Sequence, residues 1–103
     1  IFFSPLHTST LVMLTIKIMK IKKNGIFNIG SKTKISKAKF AELLCKTLRL
    51  DCNYLIQTNY SKEISTVLRP FNMSLNVRKF EKTFRVKLPK VTSEIKKLSK
   101  EYV

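Results

Sequence analysis

The stretch that most constrains the fold runs over residues 24–50. It opens with the turn Asn24-Gly25, continues as the apolar run Ile26-Phe27-Asn28-Ile29, and turns again at Gly30-Ser31. Four residues between glycines are too few for a helix, so the run reads as a short buried strand. A helix then begins near Ser36, a good N-cap, and carries Phe40, Leu43, Leu44 and Leu48 on one side. Asp51 and Asn53 close it, and Tyr54-Leu55-Ile56-Gln57-Thr58 alternates as a second strand. Strand, helix, strand in succession predicts a parallel pair with a right-handed crossover. The expected fold class is therefore α/β: a short parallel strand pair (βαβ) covered by helices.

The flanks supply the covering. Pro5 leads into His7-Thr8-Ser9-Thr10, any of which can cap a helix with Leu11, Leu14, Ile18 and Ile21 on its apolar stripe. Val12, Ile16 and Met19 widen that stripe, and Asn24-Gly25 is its stop signal. The helix lacks an aromatic anchor and its lysines bunch toward one end, which favours a core-facing role over a membrane surface. Residues 59–66 are polar, with room for one helical turn over 61–64. Pro70 keeps Arg69 extended, so the segment around it crosses the surface as a loop. Asn76 can cap a short helix presenting Val77, Phe80 and Phe84, and Thr92 or Ser93 a last one with Ile95, Leu98 and Tyr102 on a stripe.

With 103 residues the chain is one domain, or a piece of one, and is read as a single unit over 1–103. It begins Ile1-Phe2-Phe3 and its first methionine is Met13, so it is expected to start inside a longer protein. The net charge of +15 suggests nucleic acid or an anionic surface as a partner. Against this, 17 of the 21 basic residues are lysines scattered through every segment, and arginine, the bidentate reader of phosphate, is scarce. The leading expectation is accordingly no membrane and no nucleic-acid partner, and the alternative, supported only by charge, is a small basic nucleic-acid-binding module. Cys45 and Cys52, with one histidine in the chain, are too few for a zinc site and read as reduced thiols of a cytoplasmic protein.

Catalytic signals are sparse. The six carboxylates are not paired on a face that also offers a pocket. A nucleophile–base pair would have to use His7, whose neighbours Thr8, Ser9 and Thr10 are better read as caps. Residues 25–33 resemble a phosphate-binding P-loop, but Ser31 stands where that loop needs lysine, and no dinucleotide fingerprint fits two glycines five residues apart. Arg69 is the residue best suited to bind a ligand. Held before a proline, its guanidinium can clamp a diphosphate through parallel hydrogen bonds, or else pair with Glu63 or a helix end.

Three sets of residues also carry a resemblance that covers nearly the whole chain in order. Gly25-Ile26-Phe27-Asn28-Ile29-Gly30, Ile35-Ser36-Lys37 and Phe40-Ala41-Glu42 resemble the substrate-binding half of extended short-chain dehydrogenases. Arg69-Pro70, Asn72, Ser74-Leu75, Lys79-Phe80 and Leu88-Pro89 are similar to the ending of one branch, the dTDP-4-dehydrorhamnose reductase family. Ser4-Pro5 with its Thr-rich helix start looks like that family's Ser-Pro-Thr segment, though the acidic position that follows there is missing here. The resemblance implies a C-terminal substrate-binding portion, its partner being an absent N-terminal Rossmann domain that would hold NAD(P)H and the catalytic Tyr-x-x-x-Lys pair. It also implies that Arg69, with Thr8 and Ser9 as weaker candidates, borders the cleft for a nucleotide sugar. These residues by themselves would bind no cofactor.

Overall fold

A computed structural model describes residues 1–56 and 67–102. Within these residues, four helices and one two-stranded antiparallel sheet make a small mixed α/β domain: β1 (Phe2–Phe3), α1 (Thr8–Met19), β2 (Ile35–Ser36), α2 (Lys37–Thr47), α3 (Arg78–Phe84) and α4 (Val91–Tyr102).

Among the described residues the expected parallel pair does not form. The run 26–29 is irregular backbone, and Tyr54, Leu55 and Ile56 lie in an exposed turn instead of a strand. Residues 57–66, which contain the rest of the expected second strand and the suggested helical turn, lie outside the described residues. β2 is instead the dipeptide just ahead of α2, paired in register Phe2 with Ser36 and Phe3 with Ile35. The physical reason lies in burial. Ile35 is buried whereas Ile26 is 88% exposed, so the chain uses its apolar contact at residue 35 to pair with β1. On the other edge Phe2 bridges Asn72 in parallel fashion, its N–H donating to Phe71 O at 2.8 Å and its carbonyl accepting from Met73 N at 2.7 Å.

The helices follow the sequence more closely. Ser36 caps α2, its hydroxyl accepting from Lys39 N–H at 3.2 Å. That helix stops earlier than Asp51: Arg49 adopts the left-handed conformation (φ 58°) and Leu50 N–H reaches back to Cys45 O at 2.9 Å, a Schellman closure. α1 likewise ends before Asn24-Gly25, its cap at Lys20. Asn76 Oδ1 accepts from Arg78 N–H at 3.1 Å just ahead of α3, but the N-cap of that helix is Val77, one residue later than expected. α4 takes its first bond from outside, Val91 N–H donating to Thr33 Oγ1 at 3.2 Å, so neither Thr92 nor Ser93 is its cap.

Two apolar clusters hold these elements. Leu14 of α1 packs with Val77, Phe80, Phe84 and Leu88, with Ile18, Ile21, Phe27 and Ile29 against them. Ile35, Val91 and Ile95 form the second, covered by Phe3 and by Phe40, Leu43 and Leu44 of α2. The widened stripe expected on α1 is not buried: Val12, Ile16 and Met19 are more than half exposed, on the side of the helix away from Leu14.

Candidate functional site

Three segments remote in sequence meet at one junction. Ser4 O accepts from Ser31 N–H at 3.3 Å, and Ser4 Oγ accepts from Leu75 N–H at 3.0 Å. Gly30 sits between them so closely that a Cβ there would lie 3.0 Å from Ser4 O and 3.2 Å from Leu75 Cδ1. Its bare face is filled by protein, so Gly30 serves close packing and offers no cradle for a phosphate. Ser31 is fully buried and spends its hydroxyl on Thr33 O at 2.7 Å. Lys32 N–H donates to Pro89 O at 2.8 Å. Residues 30–33 therefore tie the N-terminal strand, the 72–75 loop and the start of α4 together.

Arg69 lies on the loop that enters this junction, three residues before Asn72, and its neighbourhood is exposed. Asn72 Oδ1 shapes the loop, accepting from Ser74 N–H at 3.0 Å and from the Ser74 hydroxyl at 2.5 Å.

Thr8 and Ser9 open α1. Thr8 lines a cavity of about 280 Å³ with Pro5, Leu6, His7, Phe40, Val91, Glu94, Ile95, Leu98 and Glu101. Neither Ser9 nor Arg69 lines it, so the three candidate residues are not gathered around this cavity. Ser9 is engaged locally: its N–H donates to His7 Nδ1 at 3.0 Å, and its hydroxyl lies 2.7 Å from the same nitrogen. An accepting Nδ1 puts the ring proton on Nε2, which faces Glu101 Oε1 at 2.9 Å. Serine, histidine and glutamate are thus linked, but both Ser9 groups converge on the nitrogen that caps their own helix. His7 is the N-cap.

Behind the cavity is a polar clamp that no sequence signal singled out. Glu94 is 5% exposed and accepts from His7 N–H at 3.3 Å and from the Thr10 hydroxyl at 3.1 Å. Lys97 Nζ donates to Thr10 Oγ1 at 2.6 Å and stands 3.7 Å from the Glu94 carboxylate. Each donor finds an acceptor, which is what permits a buried carboxylate here. The spacing of Glu94 and Lys97 on one helix was the available signal; the partner Thr10, 84 residues away, had none.

Three groups on or just after α2 have displaced acidities, the first being Lys46, whose hydrogen bond to Glu42 holds its ammonium above the ordinary range. The hydrogen bond from Lys46, then the charge of Lys39, hold the Glu42 carboxyl below its ordinary range. Partial desolvation, then the neighbouring Cys45 thiol, push the Cys52 thiol up. Both cysteines are free thiols. Among the described residues no group of His, Cys, Asp and Glu is placed to hold a metal ion, and no helix is long and apolar enough to cross a membrane.

No protein-family model matches the chain, and neither the curated proteins nor the solved structures give a match.

Proposed function

We propose that this chain is the substrate-binding portion of an NAD(P)-dependent sugar-nucleotide reductase or epimerase of the dTDP-4-dehydrorhamnose reductase type, acting in the cytoplasm in polysaccharide synthesis. The observation that supports it is the junction. Ser4-Pro5, Gly30-Ser31 and the Asn72/Ser74-Leu75 loop, the pieces that carry the family resemblance and that hydrophobic periodicity does not explain, come into direct contact. In this reading the junction is a rigid base, and the loop ahead of it presents Arg69 to a sugar diphosphate. Thr8 and Ser9 lie at the start of α1, four and five residues after Ser4. The cofactor and the proton donor belong to a Rossmann portion outside these residues, so the chain alone is expected to bind weakly and to reduce nothing.

Titration of the isotope-labelled chain with a dTDP-hexose, followed by NMR, tests this. The expected result is saturable shifts confined to residues 67–75 and the first turn of α1, with Kd no tighter than about 1 mM. Arg69→Ala should abolish them while leaving the spectrum otherwise folded. Shifts absent at every concentration, or unchanged in the Arg69→Ala chain, would remove the proposal.

A further inference from the structure

Lysines and arginines that look scattered along the sequence are gathered by the fold on one face of α3. Arg78, Glu81, Lys82 and Arg85 recur at helical spacing on the side opposite buried Phe80 and Phe84. Arg85 then takes the left-handed conformation (φ 54°), which turns the chain and brings Lys87 to the same groove. Lys32 arrives from the other wall, held there by its backbone bond to Pro89 O.

The one acid lining this groove, Glu81, offsets Lys32 alone among its cations. Glu81 Oε2 accepts from Leu88 N–H at 2.9 Å and stands 4.0 Å from Lys32 Nζ. Among the described residues, no carboxylate pairs with Arg78, Lys82, Arg85 or Lys87. The groove has two adjoining parts, of about 460 and 350 Å³, that share Lys32, Arg78 and Glu81. Small-ligand sites are concave, largely apolar and enclosing. This one is an open trough whose wall residues are mostly charged side chains, which suits a polyanion lying along it. No aromatic side chain lines either part, so there is no platform for base stacking.

We propose that the trough formed by Lys32, Arg78, Lys82, Arg85 and Lys87 binds the phosphodiester backbone of single-stranded nucleic acid without regard to base sequence. A seven-residue helix is about 10 Å long, so the trough meets only a few consecutive phosphates, which a flexible single strand can supply by bending. This activity is separate from the nucleotide-sugar reading and does not need it.

The test is fluorescence anisotropy of labelled oligo-dT and oligo-U of about 12 nucleotides, and of a duplex of equal length, with the full chain over a range of salt. One phosphate contact from each of Arg78, Lys82, Arg85 and Lys87, with Lys32 offset by Glu81, gives a slope of log K on log salt near −3. The triple change Arg78→Gln, Lys82→Gln, Arg85→Asn should flatten that slope by about 2, equally for both oligonucleotides. Asparagine at position 85 is chosen because it tolerates the left-handed backbone. A control triple, Lys20→Gln, Lys22→Gln, Lys23→Gln, removes the same charge from the end of α1 and should leave the slope nearly unchanged. Should the first triple not fold by circular dichroism, Lys82→Gln alone, at an exposed helix position, carries the same test with a change near 0.7. Equal losses in the two triples would assign binding to net charge and overturn the proposal. So would tighter binding to the duplex, or no binding to either strand at low salt.

Discussion

At the scale of single residues, two glycines do different physical work. Gly25 adopts φ +139°, a backbone sign that side chains resist, whereas at Gly30 the requirement is space. The atom nearest an added Cβ at Gly30 is Ser4 O, a backbone carbonyl already bonded to Ser31 N–H, so it cannot swing aside as a flexible side-chain tip could. Gly30→Ala should therefore push apart the Ser4, Ser31 and Leu75 contacts and destabilise the fold by about 1–3 kcal/mol. Urea denaturation of the two chains measures it, and an alanine variant as stable as the parent would show that the junction is soft. The sequence marked both glycines as turns but could not distinguish these roles. A close approach depends on where residues 4 and 75 come to rest, and local pattern does not encode that.

At the scale of elements, legibility divides by the range of the interaction that sets each one. Ser36 as the cap of α2 and the four helices were readable, because caps and 3.6-residue periodicity act within a few positions. The strands were not. A two-residue strand has no period to detect, and β1 pairs across more than thirty residues with a dipeptide read as the approach to a helix. The candidate residues were individually visible as residue types, but Thr8 at a cavity, Ser9 on a capping histidine and Arg69 on a separate loop are placements made by tertiary contacts. α1 and α4 show how such contacts join elements. Thr10 receives a hydrogen bond from Lys97 and donates one to buried Glu94, bridging the two helices. Thr10→Val keeps the volume and removes both bonds, leaving the carboxylate with one donor fewer in a desolvated place. The expected cost is about 1–3 kcal/mol. A Thr10→Ser chain, which keeps the hydroxyl, should recover most of that loss, and failure to recover it would mean that packing of the threonine methyl matters more than the bridge.

At the scale of the whole molecule, the balance is between a small core and a large charge. The radius of gyration is 16.0 Å, against about 13 Å for a rounded domain of this length, and the body measures 47 × 36 × 18 Å. A slab that thin is less than two helix diameters deep, and among the described residues only eight apolar side chains are buried, divided between two clusters. Set against them are 21 basic and 6 acidic residues. Several acids are already in ion pairs, Glu42 with Lys39 and Lys46, Glu81 with Lys32 and Glu94 with Lys97, so the surplus cations repel one another with few anions left to offset them. Salt weakens both effects, but the exposed pairs are worth little individually, while the repulsion sums over the whole surface. Screening should thus stabilise the fold. Raising sodium chloride from about 0.02 to about 0.3 M is expected to lift the melting temperature by about 5 °C, corresponding to roughly 1 kcal/mol for a domain of this size. Chloride is the right anion, because sulfate would strengthen apolar burial by a separate route. The exposed Val12, Ile16 and Met19 face could also drive association at high salt, so the shift must be independent of protein concentration. A melting temperature that stays level or falls would mean that the few Lys–Glu pairs outweigh the surplus positive charge, and the fold would then be held by its electrostatics in spite of its composition.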